Sequence, residues 1–248
     1  MKNLKDVELK YKKIESEIPK VCDLESIPII ENNEPLIEIS ESDGLILSFH
    51  NSGEMLDLIG PRMLVRKRVY EMLIEANKEL QSNFSSLRVK LFYAYRALEV
   101  QTKYYTKSLA TAESQFPNKS EEWKKEFAHA LAAYPLVAGH PTGGAVDVTL
   151  TNIETSKDVD MGVAVFRDAI SKAGRKIYME SPEVSEIALK NRLLLRSIME
   201  SQGFAPFSGE FWHFSYGDRE WASKLEKKHA MYNQISLLEL ENFLKSTI

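Results

Sequence analysis

Leu4, Val7, Tyr11, Ile14 and Ile18 recur at steps of three and four in an otherwise charged segment, the spacing of an amphipathic helix packed by one face. Residues 19–60 are punctuated by Asn, Glu and Pro around short apolar runs such as LILSF, which reads as irregular strands and loops. Over 61–80, Val65, Val69, Met72, Leu73, Ala76 and Leu80 form one apolar face, and Pro61 suits a first helical turn, so a helix is predicted there. The period then changes to two: Leu87, Val89, Leu91 and Tyr93 alternate with Arg88, Lys90 and Phe92, as in a strand. Helices are predicted over 97–109 and 121–134. Residues 144–151 read as a strand with Ala145, Asp147 and Thr149 on one face and Val146, Val148 and Leu150 on the other. Two more helices are predicted over 161–173 and 184–201, the second stopped by Gly203. The aromatic segment 211–216 reads as a strand, and Ser236 with Glu239 forms a capping box that opens a last helix. Helices before and after scattered strands predict an α+β protein rather than regular βαβ alternation.

Composition narrows the class. The chain has 248 residues, 44% hydrophobic and 27% charged, enough to bury a core. Lys and Arg number 32 against 36 Asp and Glu, a net charge of −4, which argues against a nucleic-acid binder. Cys22 is the single cysteine, so no internal disulfide or cysteine-rich metal site is available. The amino-terminal segment lacks an apolar signal region, and the most apolar stretch, 130–138, is broken by Pro135 and too short for a bilayer. A cytoplasmic protein without membrane contact is the expectation, with its oligomeric state open.

Phosphate loops, dinucleotide fingerprints, nucleophile elbows and the H-E-x-x-H helix are absent from the sequence. Three polar segments stand out instead. In His140-Pro141-Thr142-Gly143-Gly144-Ala145-Val146-Asp147, a glycine turn carries a histidine into a strand that bears an aspartate. The pair fits two ligands of a catalytic zinc, and equally a structural histidine capped by an acid. In Glu210-Phe211-Trp212-His213-Phe214, a carboxylate and an imidazole sit among three aromatics. Burying such groups costs several kcal/mol unless they are paired or metal-bound, so His213 is a third candidate ligand and Glu210 a candidate base. The alternative is an aromatic edge strand with an exposed acid and a packed histidine. Arg96, at the end of the strand containing Tyr93, is a candidate oxyanion donor because guanidinium keeps its charge when desolvated. Equally, it could be a helix-start arginine paired with a surface acid.

In this order, tyrosine–arginine, His-x-x-Gly-x-Ala-x-Asp and Glu-x-Trp-His, the segments resemble the zinc-dependent D-alanyl-D-alanine dipeptidases of the vancomycin-resistance type. Leu98-Glu99-Val100-Gln101, Asp160-Met161-Gly162, Asn191-Arg192, Met199 and Gly203-Phe204 are similar as well, and the likeness spans roughly residues 62–221. It implies a D,D-peptidase and hedgehog-like α+β fold, with helices on a small antiparallel sheet. It also implies Zn2+ on His140, Asp147 and His213, Glu210 as general base to activated water, and Arg96 steadying the tetrahedral intermediate. Two histidines and one carboxylate favour zinc over magnesium.

Four positions differ from the family pattern. Tyr93 stands where an aspartate precedes the tyrosine–arginine pair, Ala97 replaces a proline, and Ala138 a serine. The acid that engages the substrate amine falls at Phe166, and the nearest acid is Asp168. The expected organisation is an extension over 1–60, a zinc peptidase core over 61–222 and a helical extension over 223–248. The expected activity is D-Ala-D-Ala dipeptidase-like hydrolysis of a small peptide. Zinc D,D- or L,D-carboxypeptidase action on longer cell-wall peptides, and a non-catalytic metal- or peptide-binding module, are the alternatives.

Overall fold

A computed structural model describes residues 4–51, 53–165 and 172–246. The elements run α1 (Leu4–Ser16), α2 (Val21–Glu25), β1 (Leu36–Glu38), β2 (Ile46–Leu47), α3 (Gly53–Ile59), β3 (Leu64–Arg66), α4 (Lys67–Asn83), β4 (Leu87–Tyr93), α5 (Leu98–Gln115) and α6 (Glu121–Leu131). They continue through β5 (Ala145–Asn152), β6 (Lys157–Asp158), α7 (Glu186–Ser201), β7 (Ala205–Pro206), β8 (His213–Ser215), α8 (Arg219–Lys224) and α9 (Leu237–Ser246). The protein is α+β. Among the described residues the main sheet has the order β2-β4-β5-β8-β7, with β6 hydrogen-bonded to β5, and β1 pairs with β3 in a separate two-stranded ribbon. All pairings are antiparallel except β2 with β4.

Val146, Val148 and Leu150 of β5 are fully buried in a core shared with Met72, Leu73, Ala76 and Leu80 of α4 and Leu195, Ile198 and Met199 of α7. The helices therefore cover one face of the sheet. On the other face of β5, Ala145, Asp147 and Thr149 are buried as well. Their surroundings are polar, and the functional candidates gather there.

Two predicted helices are corrected. The segment 61–66 is not helical: Leu64 and Val65 are both fully buried, and Leu64–Arg66 pairs with Leu36–Glu38, so the helix begins only at Lys67. Over 161–165 the chain forms turns. Gly162 takes φ +76° and donates its amide to Asp160 Oδ1 (2.8 Å), a local turn that interrupts helical bonding. Phe166 and Asp168 lie outside the described residues. Residues 172–173 are helical and lead into a 3-10 turn over Gly174–Ile177.

The amino-terminal segment is part of the packed structure. The ring of Tyr11 in α1 is fully buried against Tyr178 and the Arg175 guanidinium, and its hydroxyl donates to Glu183. Further on, the Val21 amide meets both carboxyl oxygens of Glu126 in α6 (3.2 Å each).

Candidate active site

Strand register assembles the site. Asp147, on the central strand β5, is directly opposed by His213 on β8 and by Tyr93 on β4. Opposed residues share a face of a sheet, so Tyr93, Asp147 and His213 form one row across three strands. The row exists because the β4–β5 register shifts between Leu91 and Tyr93. His140 enters from the 3-10 turn His140–Thr142, which Gly143 closes in the left-handed conformation (φ +72°) before β5 begins. Gly144 follows because a Cβ there would collide with the Tyr216 carbonyl and come within 2.9 Å of Thr142 Oγ1. The glycine pair thus folds the histidine back over its own strand.

The two imidazoles approach Asp147 with opposite nitrogens. His140 Nδ1 donates to the Ala94 carbonyl (2.8 Å), and its Nε2 lies 3.3 Å from Asp147 Oδ1. His213 Nδ1 lies 3.0 Å from the same oxygen, while its Nε2 donates to Glu220 Oε2 (3.1 Å). One ligand atom from each of His140, Asp147 and His213 falls within 4.8 Å of the others, and all three residues are buried.

Electrostatics fit a cation at this point. Asp147, Glu210, Asp218 and Glu220 crowd one region, and Arg96 is the permanent cation whose field reaches Glu210 and His140. Burial, then the charge of Asp147, pushes Glu210 up to about 7. Burial, then the charge of Glu220, does the same to Asp218. Burial drives His140 below the usual imidazole range against the pull of Asp147, so it is neutral, as a metal ligand must be. For His213, burial is outweighed by its hydrogen bonds to Asp147 and Glu220, which hold it well above that range. A dication on the two imidazoles and Asp147 replaces that proton and relieves the excess of carboxylates, so the donor set fits zinc.

Arg96 is not paired with a carboxylate at ion-pair distance among the described residues. Its guanidinium lies over the rings of Tyr93 (4.3 Å to the centroid) and Tyr104 (5.2 Å), and one nitrogen donates to Gln101 Oε1 (2.8 Å). Its Nε has no hydrogen-bond partner among the described residues. An aromatic cradle of this kind keeps the charge in place without neutralising it.

The structure therefore brings together His140, Asp147, His213, Glu210 and Arg96, and adds residues that sequence reasoning passed over. Glu220 lies seven positions beyond His213, and its signal is a charged residue in the first turn of a helix that Asp218 caps through the Trp221 amide (2.8 Å). Tyr104 sits two turns into α5 with nothing in its sequence context to mark it. Ala138, by contrast, is buried close to His140 in the chain and offers no side-chain donor.

The chain is similar to known proteins over most of its length. A family model described as D-ala-D-ala dipeptidase matches residues 55–235. A D-alanyl-D-alanine dipeptidase from Synechocystis sp. is 29% identical over 233 residues, which cover 85% of this chain and 93% of that protein. One from Enterococcus faecium is 32% identical over 114 residues, 45% of this chain and 50% of that one. Among solved structures, the LD-carboxypeptidase LdcB aligns over 78% of this chain and 73% of its own at 17% identity, with a TM-score of 0.43.

Proposed function

The chain belongs to the D-Ala-D-Ala dipeptidase family and is a metallopeptidase, and on that premise we propose that it hydrolyses a small peptide of D-configured residues, D-alanyl-D-alanine first, with zinc on His140, Asp147 and His213. The observation that carries the reading is the convergence of His140 Nε2, Asp147 Oδ1 and His213 Nδ1 beside Glu210 and Arg96. When bound there, zinc supplies Lewis acidity that makes water a nucleophile near neutral pH. Glu210 accepts the proton of the attacking water as the new C–O bond forms. It then hands that proton to the leaving amine as the C–N bond breaks, a role worth about 10²–10⁴ in rate. Arg96, held by its aromatic cradle with Nε unpartnered among the described residues, meets the negative charge that develops on the scissile carbonyl oxygen.

Carboxypeptidase action on longer cell-wall peptides is the second reading. Phe166 favours it, since it stands where the family pattern has the acid that engages the substrate amine, and Tyr93 replaces another acid beside the site. A carboxylate aimed at a substrate ammonium discriminates strongly against a blocked amine, because blocking leaves the charge unpaired. Loss of one such contact, about 1.5–3 kcal/mol, is expected to leave N-acetyl-D-Ala-D-Ala cleaved within about tenfold of the free dipeptide.

The test is kcat/KM for free and acetylated dipeptide with zinc-loaded protein, alongside Glu210→Gln. Zinc retained with hydrolysis down by about two to four orders of magnitude is expected of that variant. Near-normal turnover in Glu210→Gln refutes the general-base role and returns the site to a binding module. Cleavage of the free dipeptide alone makes the enzyme a strict dipeptidase.

A further inference from the structure

We propose that Glu220 is a positioning residue of the metal centre: it holds the Nε2–H of His213 and so presents Nδ1, rather than Nε2, to the ion. The inference rests on the metal-centre reading above. An imidazole offers two nitrogens, and the one available as a ligand is set by what the other one bonds. For His140 the choice is made by a backbone carbonyl, that of Ala94 at 2.8 Å from Nδ1. For His213 the hydrogen-bond partner of Nε2 among the described residues is the carboxylate of Glu220, at 3.1 Å.

The carboxylate is itself fixed. It stands on the second residue of α8, whose first turn is capped by Asp218 and anchored by the Trp221 indole, which donates to the Gly203 carbonyl (3.2 Å). Rotation of the imidazole is limited by the ring of His140 at 4.9 Å and by that of Phe207 at 5.8 Å, both edge-on. The Glu220 side chain is 12% exposed and borders a crevice of about 30 Å³, which Glu17, Pro19, Ser208 and Lys224 also line. Glu17 closes that crevice by accepting from Ser208 Oγ (2.9 Å) and pairing with Lys224 (3.7 Å). The chain preceding the family-matched region thus walls in the carboxylate that orients a ligand. A nearly dry carboxylate on the far nitrogen also raises the basicity of the near one, so it acts on affinity as well as on orientation.

The experiment is zinc affinity by chelator competition for wild type, Glu220→Ala and Glu220→Gln, with the thermal midpoint of each zinc-free protein. Glu220→Ala is expected to bind zinc about 10–100-fold more weakly. Glu220→Gln, whose amide oxygen still accepts from Nε2–H, is expected to recover most of the loss. A merely structural Glu220 would lower the zinc-free midpoint and leave affinity alone, and wild-type affinity in Glu220→Ala overturns the proposal. If wild type binds no zinc, the metal-centre reading fails and Glu220's role fails with it. Should Glu220→Ala not fold, ¹⁵N resonances of the histidine rings in zinc-loaded wild type decide. A proton on His213 Nε2 with zinc on Nδ1 is expected, and the reverse pattern overturns the assignment.

Discussion

Asp147→Asn changes one oxygen to an amide nitrogen at the centre of the site and leaves the shape of the side chain unaltered. Asp147 Oδ1 faces both His140 Nε2 at 3.3 Å and His213 Nδ1 at 3.0 Å, and all three residues are less than a tenth exposed. In the zinc-free protein the substitution removes a buried, charge-assisted hydrogen bond to His213, about 1.5–3 kcal/mol. For a chain of this size each kcal/mol moves the thermal midpoint by about 2–4 °C, so a fall of roughly 3–12 °C is expected. Zinc then separates the two proteins further. At free zinc one hundred times Kd, wild type gains about 2.7 kcal/mol from binding, or about 5–11 °C. A variant with a hundredfold weaker site gains only about 0.4 kcal/mol at the same concentration, about 1–2 °C. Thermal denaturation in chelator and in buffered zinc measures both quantities. Glu210→Gln, which lacks the base but keeps the ligands, serves as the control and should show the full zinc shift. A zinc-induced rise in Asp147→Asn equal to that of wild type would remove Asp147 from the ligand set and the centre with it.

Arg96→Ala should keep its zinc and lose about 10²–10³ in kcat, and a loss confined to KM would instead make Arg96 a binding group. Glu54 is held down to about 2, first by the hydroxyl of Tyr104. A depressed carboxyl contributes stability that is complete above its ordinary value near 4.5 and is lost as pH falls toward 2. Tyr104→Phe should therefore flatten the fall of the thermal midpoint between pH 5 and 2, and an unchanged slope disproves the link. Gly144→Ala forces a methyl group against the Tyr216 carbonyl and should destabilise by about 1–3 kcal/mol in urea denaturation, whereas an unchanged midpoint would mean the turn yields freely.

The elements that depend on local pattern were legible in the sequence. Residues 87–91 alternate because the strand has a buried side, although the register shift after Leu91 carries Tyr93 to the other face, and Ser236 with Glu239 opens the last helix through reciprocal hydrogen bonds. What escaped were elements set by distant partners. Leu64-Val65-Arg66 continues an apolar helical pattern, and only its pairing with Leu36–Glu38 makes it extended. The grouping of His140, Asp147 and His213 was expected from the resemblance of their motifs to the dipeptidase family, since the residue types alone left a capped structural histidine and an aromatic edge strand open. The groups that orient them were not: the Ala94 carbonyl has no side-chain signal, and Glu220 resembles any surface acid until helix and strand are set side by side. The cradle of Arg96 was hidden likewise, since Tyr93 belongs to a strand and Tyr104 to the helix that follows it.

The row Tyr93–Asp147–His213 runs across the backbone ladder of β4, β5 and β8, rather than along a loop. Two of the three candidate ligands are thus spaced by the hydrogen bonds that join the strands, and the third is tethered to the same central strand by the four residues 141–144. A one-residue slip of β8 against β5 would turn His213 to the other face and leave Asp147 without its opposite, so the site depends on the register of the ladder.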